Sequence, residues 1–305
     1  MLKPRSINPQ SPNRQSFCPY LQLLRPKHWI KNLFLFSAPF FGGSLLREDV
    51  LQLSIPVFLS FSLSASSGYI FNDIMDRERD RVHPEKNRRP IASGLIKPKK
   101  AFFLLASLLL PSLYVSFLIG FEYLLFVVLY LMIQSFYSLK LKGLAIVDIF
   151  CIASGFVIRV MAGGAAFNVD VSPWLFLTML MISLVLASGK RLAEISLLNT
   201  NASDHRTSLR DYSTGFLREI LIISSATSLV TYALYTVEQS PGLIYTIPVV
   251  TFGLFRYLML ADKGLGDPTE ALTKDLYLIM TVIVWLVIVW IVRYQKTWRV
   301  LGLHF

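Results

Sequence analysis

Apolar residues along this chain fall in stretches of roughly 17 to 23, the length a helix needs to cross bilayer hydrocarbon. Bounded by charged or turn residues, they predict about nine membrane spans. The spans run from Trp29 to Leu46, Val50 to Phe71, Ala101 to Gly120, Tyr123 to Leu139, Ala145 to Phe167, Pro173 to Ser188, Leu217 to Val237, Leu243 to Leu260 and Leu276 to Val292. Short breaks such as Arg47-Glu48-Asp49, Glu122 and Asn168-Val169-Asp170 alternate with long charged links. The expectation is an all-α, polytopic membrane protein with its polar mass on one side. Residues 1–24 read as a flexible cytoplasmic tail, 25–295 as a single transmembrane domain and 296–305 as a C-terminal tail.

Composition supports the bilayer as solvent: 54% of the 305 residues are hydrophobic, yet the net charge is +11. The first 28 residues are polar and basic and lack the apolar centre of a signal peptide. Lys and Arg cluster in alternate links, including Arg77 to Lys100, Lys140 and Lys142, Lys190 to Arg218, and Lys263 to Lys274. Such bias predicts that these links and the N-terminus face the cytoplasm, with the C-terminus outside. Arg293, Lys296 and Arg299 run against that bias. Cations confined to links beside spans argue for topology and anionic lipid, not nucleic acid. Cys18 and Cys151 lie far apart and suggest no disulfide framework.

The most specific chemistry lies in Asn72-Asp73-Ile74-Met75-Asp76-Arg77-Glu78-Arg79-Asp80. Asn72, Asp76 and Asp80 recur at intervals of four and Asp73 stands three before Asp76, which predicts a wall of oxygen ligands at the end of the second span. Carboxylates about 4 Å apart repel by roughly 4 kcal/mol at an effective dielectric near 20, and a hard cation relieves that repulsion. Mg2+ fits, since it takes a few carboxylates and completes its octahedron with water and phosphate oxygens. Arg159, well inside the fifth span, costs on the order of 3 kcal/mol to insert and is a candidate to line a wet cavity, or to pair with Asp148. Lys190 and Glu194 have the spacing of a helix-surface ion pair. His83 beside Pro84 reads as a turn residue rather than a general base.

Asn72 to Asp80 resembles the NDxxDxxxD signature of the UbiA superfamily of intramembrane prenyltransferases, which implies nine spans and a cytoplasm-facing cavity. Most aromatic prenyltransferases of that superfamily carry a second DxxxD motif after the sixth span. Here Gly189-Lys190-Arg191-Leu192-Ala193-Glu194 stands in its place, with Asp204-His205-Arg206 and Asp211-Tyr212-Ser213 beyond. That departure, with Arg25 to Asn32, Arg89 to Gly94, Ile158 to Gly164 and Arg256-Tyr257, is similar to the decaprenyl-phosphate phosphoribosyltransferase subgroup.

The resemblance implies transfer of a 5-phosphoribosyl group from phosphoribosyl pyrophosphate to a polyprenyl phosphate in the inner membrane, for cell-envelope glycan synthesis. It implies Mg2+ on Asn72, Asp73, Asp76 and Asp80, with Asp76 and Asp80 as catalytic residues. Lys31, Arg89, Tyr137, Lys142, Arg159, Lys190, Arg191, Glu194 and Tyr212 are the candidate substrate-binding residues, because phosphates call for Lys and Arg. Two other readings stay open: a prenyltransferase acting on an aromatic acceptor, and a transporter of anionic lipid precursors. The oligomeric state, a homo-oligomer included, is not legible.

Overall fold

The computed structural model describes residues 19–83, 86–198 and 207–300. The N-terminal tail up to Cys18, Pro84, Asp204-His205-Arg206 and the tail beyond Val300 lie outside the described residues. The described chain is helical throughout. It opens with α1 (Pro19–Leu24), a 3-10 segment (Pro26–Phe36) and α2 (Ser37–Phe41). Then come α3 (Glu48–Met75), α4 (Arg77–Val82), α5 (Pro98–Ile119), α6 (Phe121–Leu139), α7 (Val147–Phe167) and α8 (Pro173–Leu198). After a link follow α9 (Thr214–Gln239), α10 (Ile247–Asp262), α11 (Pro268–Lys274) and α12 (Leu276–Val300).

Eight helices among the described residues are long and apolar enough to cross a membrane. The ninth expected span, Trp29 to Leu46, differs: it is a 3-10 segment joined to the short α2. Pro26 starts the segment, Pro39 sits within α2, and Gly42-Gly43 end it. The 3-10 rise of about 2.0 Å per residue still carries these residues close to 30 Å, near the thickness of the hydrocarbon core. Several helices outrun their expected limits, among them α3 reaching Met75, α8 reaching Leu198 and α12 reaching Val300.

The 3-10 segment is anchored on α7 by small residues. A Cβ on Gly163 would stand 1.7 Å from the Leu35 carbonyl oxygen, so only glycine lets the backbones approach this closely. On its other side the segment meets α3 through a ladder of polar rungs: Arg25 to Asp73, Trp29 to Ser66 at 3.1 Å, and Asn32 to Ser62 at 2.8 Å. From there α6, α7, α8, α9, α10 and α12 each pack on the next or next but one. The outer faces of α5 and α12 carry exposed apolar side chains such as Phe103, Phe117, Met280 and Ile291, as lipid contact requires.

The long polar links gather at one end. Lys142 pairs with Asp76, Tyr212 bonds the backbone of Ile146, and Lys190 pairs with Asp267. Arg293 lies at the opposite end, where Nη1 donates to the Gln239 carbonyl.

Candidate active site

The Asp-rich segment breaks at Asp76, which sits between α3 and α4 with φ −89° and ψ 0°. The break turns the expected stripe into a different grouping. Asp73 and Asp80 are the buried carboxylates, at 3% and 5% exposure, and Arg89 Nη1 bridges them at 3.1 and 2.7 Å. Arg25 adds a second contact to Asp73 at 2.5 Å, with its guanidinium 5.0 Å above the Tyr69 ring. Asp76 pairs instead with Lys142, and Asn72 is half-buried. Burial raises the Asp80 carboxyl above its ordinary value, against the pull of Arg89.

Among the described residues no three acidic, histidine or cysteine side chains stand close enough to hold a metal alone. Mg2+ does not need three, because it is commonly held by one or two carboxylates while phosphate oxygens and water complete the octahedron. Asp73 and Asp80, drawn to one nitrogen, form such a hard-oxygen pair.

A second cluster centres on Asp148 in the first turn of α7, fully buried. Arg191 Nε donates to its Oδ2 at 2.7 Å, the Tyr212 hydroxyl donates to its Oδ1 at 2.6 Å, and Ser208 donates at 3.3 Å. Arg191, 1% exposed, also reaches Glu194 at 2.7 Å and the Tyr137 hydroxyl at 3.3 Å. Glu194 is thus paired with Arg191 rather than four residues back with Lys190. Burial, then the bond to Asp148, raises the Tyr212 phenol, so it remains a donor. Its oxygen also accepts the N–H of Ile146 at 2.5 Å. Ile146 has φ +67°, a costly conformation for a β-branched residue that the surrounding bonds must hold.

A third group lies deeper. Arg159 is 3% exposed and gives Nε to Asn32 Oδ1 at 2.8 Å, Nη1 to the Gly155 carbonyl at 2.5 Å and Nη2 to the Tyr130 hydroxyl at 3.2 Å. Its guanidinium stacks 4.7 Å from the Tyr130 ring and 5.1 Å from Phe61. Asp148 is taken by Arg191, and no carboxylate pairs with Arg159 among the described residues. Lys31 Nζ lies 5.7 Å from the Phe156 ring, and the charges of Lys190, Arg159, Asp267 and Arg25 act on it. Lys190 pairs with Asp267 at 3.2 Å. That pairing depends on the loop at Gly266, where a Cβ would stand 2.0 Å from the Gly189 carbonyl oxygen.

At the mouth, a cleft of about 440 Å3 is lined by Gln22, Arg25, His28, Asp73, Lys86, Arg88, Arg89 and Pro90. Of the residues in these clusters, the sequence reading singled out neither His28, Arg88 and Asp267 nor the hydrogen-bonding Asn32, Tyr130 and Ser208. Arg25 entered only as the first residue of the Arg25 to Asn32 segment that carries the resemblance, not as a site residue. Its signal was the Arg25-Pro26 pair, where Pro26 starts the 3-10 segment and Arg25 turns into the left-handed region at φ 50°.

A model of the UbiA prenyltransferase family matches residues 36–282. The chain is 33% identical over 284 residues to a decaprenyl-phosphate phosphoribosyltransferase of Mycolicibacterium smegmatis, covering 87% of this chain and 89% of that one. It is 32% identical to the decaprenyl-phosphate phosphoribosyltransferase of Mycobacterium tuberculosis, covering 87% and 91%. A UbiA homologue from Archaeoglobus fulgidus bound to GPP and Mg2+ superposes with a TM-score of 0.72 at 20% identity, covering 89% of this chain and 96% of that one. At that identity the likeness establishes the fold. With the family match spanning most of its length, the chain belongs to the UbiA prenyltransferase family.

Proposed function

We propose that the chain transfers a 5-phosphoribosyl group from phosphoribosyl pyrophosphate to a polyprenyl phosphate of the membrane, releasing pyrophosphate. The observation that carries this reading is the similarity to decaprenyl-phosphate phosphoribosyltransferases over 87% of the chain. The charge distribution agrees with it. Arg25, Arg88 and Arg89 face one cleft with a single carboxylate, Asp73, which suits a donor bearing phosphates at both ends.

An oxygen of the lipid phosphate attacks the anomeric carbon; the new C–O bond forms as the bond to diphosphate breaks, and the diphosphate leaves with the electron pair. The lipid phosphate is already an anion at neutral pH, so positioning and electrostatic stabilisation suffice without a strong general base. Mg2+, held by Asp73 and Asp80 with Asp76 and Asn72 nearby, would supply positive charge to the departing diphosphate. Arg25 and Arg89 neutralise Asp73 and Asp80 and offer N–H donors to phosphate oxygens. Lys142 orients Asp76, and the Arg191–Asp148–Tyr212 cluster fixes the link that carries Lys142.

The cation-rich links share one end, which this reading assigns to the cytoplasmic face of the inner membrane. A donor carrying one label on its 5-phosphate and another on its diphosphate tests the bond that breaks. Phosphoribosyl transfer moves the first label into the lipid and releases the second; the opposite partition would identify a pyrophosphoryl transferase and refute the reading.

A further inference from the structure

We infer that Lys31 and Arg159 form the seat of the acceptor's phosphate, one layer deeper in the membrane than the donor. This rests on the phosphoribosyl-transfer reading. Three observations carry it.

The first is uncompensated charge. A guanidinium has five N–H donors, and the partners of Arg159 take three of them, all neutral. Two donors and the full positive charge remain at a position 3% exposed. Lys31 has no hydrogen bond or ion pair among the described residues and rests over the Phe156 ring. Arg159 is buried and Lys31 half-buried; cations held in this way without counter-ions are costly, and an anion shared between them removes the cost. The neutral holders fix the fork: Asn32, itself bonded to Ser62, orients Nε, while Tyr130 and Gly155 hold the two terminal nitrogens.

The second is depth. The rungs of the 3-10 segment run from Arg25 at Asp73 to Asn32 at Ser62, three turns of α3 and about 16 Å of rise. A water-soluble donor enters at the cationic mouth. A lipid phosphate whose tail stays in hydrocarbon suits the deeper position, where the buried rings of Phe61, Tyr130 and Phe156 lie against the two cations.

The third is division of charge. Arg25, Arg89, Lys142 and Lys190 are each paired with Asp73, Asp80, Asp76 or Asp267. Lys31 and Arg159 have no such acid, so they can take a ligand that brings its charge but no metal.

The test uses the full chain in detergent with three probes, dodecyl phosphate, inorganic phosphate and phosphoribosyl pyrophosphate, titrated calorimetrically against wild type, Lys31→Gln, Lys31→Arg and Arg159→Lys. The expected result is at least 10-fold weaker dodecyl phosphate binding in Lys31→Gln and Arg159→Lys, recovery in Lys31→Arg, and donor binding within 2-fold of wild type. In turnover, the KM for polyprenyl phosphate should rise while that for the donor holds. Inorganic phosphate binding as tightly as dodecyl phosphate would overturn the lipid assignment. Loss of donor affinity with dodecyl phosphate binding unchanged would overturn it in favour of a donor subsite. Should dodecyl phosphate binding follow the predicted pattern while wild type transfers no phosphoribosyl group, the inference about the seat stands and the phosphoribosyl reading falls.

Discussion

Arg191 Nε lies 2.7 Å from Asp148 Oδ2, with both side chains sealed from solvent at 1% and 0% exposure. The pair ties α8 to the start of α7, and Tyr212 and Ser208 close over it from the following link. Its partners Asp148, Glu194 and Tyr137 make Arg191 a strut between these elements, and the loss of that strut is measurable as stability. Arg191→Ala would strand the Asp148 charge in the interior, a loss of about 3 to 5 kcal/mol for a broken buried pair. Thermal unfolding in detergent reads this as a clear fall in the midpoint. An Arg191→Ala protein that unfolds like wild type yet binds the donor poorly would return Arg191 to the substrate.

The break at Asp76 makes the acidic residues separable. Asp80→Ala and Asp76→Ala should each lower Mg2+-dependent turnover by roughly 100-fold or more, since they weaken charge stabilisation on the leaving group. Both variants should remain folded, judged by unfolding midpoint and monodispersity. Turnover near wild type in both would remove Mg2+ from Asp76 and Asp80.

Asp80 also gives a pH dependence with a definite sign. Burial sets its carboxyl above the unfolded value, so protonation favours the folded, metal-free protein. That contribution is complete below the ordinary aspartate range and is lost as pH rises through the raised value. Asp80→Asn should therefore raise the unfolding midpoint of the metal-free protein at neutral pH, and the gain should vanish near pH 4, about the unperturbed value. An equal gain at both pH values would show that charge at Asp80 is not the cause.

Gly163 carries the position of the entire 3-10 segment. Gly163→Ala places a methyl group against the Leu35 carbonyl and pushes Asn32 away from Arg159. Overpacking of this kind costs about 1 to 3 kcal/mol. The unfolding free energy should fall by that much, lowering the midpoint, and activity should fall further than the lost stability explains; a variant with wild-type midpoint and activity would show that the segment has room to move.

Much of this was legible in the residues. Apolar run lengths marked the spans, because hydrocarbon thickness constrains any helix that crosses it. The alternation of Lys and Arg put the links carrying Lys142 and Lys190 at one end, where the structure pairs them with Asp76 and Asp267. Hydropathy did not distinguish a 3-10 segment from an α-helix over Trp29 to Leu46, since the two differ in backbone pitch and not in side-chain polarity. Partner choice was also hidden. Lys190 stands four residues from Glu194, yet its partner is Asp267, brought close by the Gly189–Gly266 contact of two distant backbones. Asp148 was weighed as a partner for Arg159, which lies three turns further along α7; Arg191 stands at its own level instead.

The most direct measurement is a paired-substrate assay on the purified protein. Labelled phosphoribosyl pyrophosphate with polyprenyl phosphate is set beside a labelled prenyl diphosphate with an aromatic acid, each with Mg2+ and with chelator. The account predicts that label enters the organic phase from phosphoribosyl pyrophosphate, that chelator stops it, and that the prenyl diphosphate is inert. A folded protein that leaves phosphoribosyl pyrophosphate untouched and prenylates the aromatic acid would contradict it.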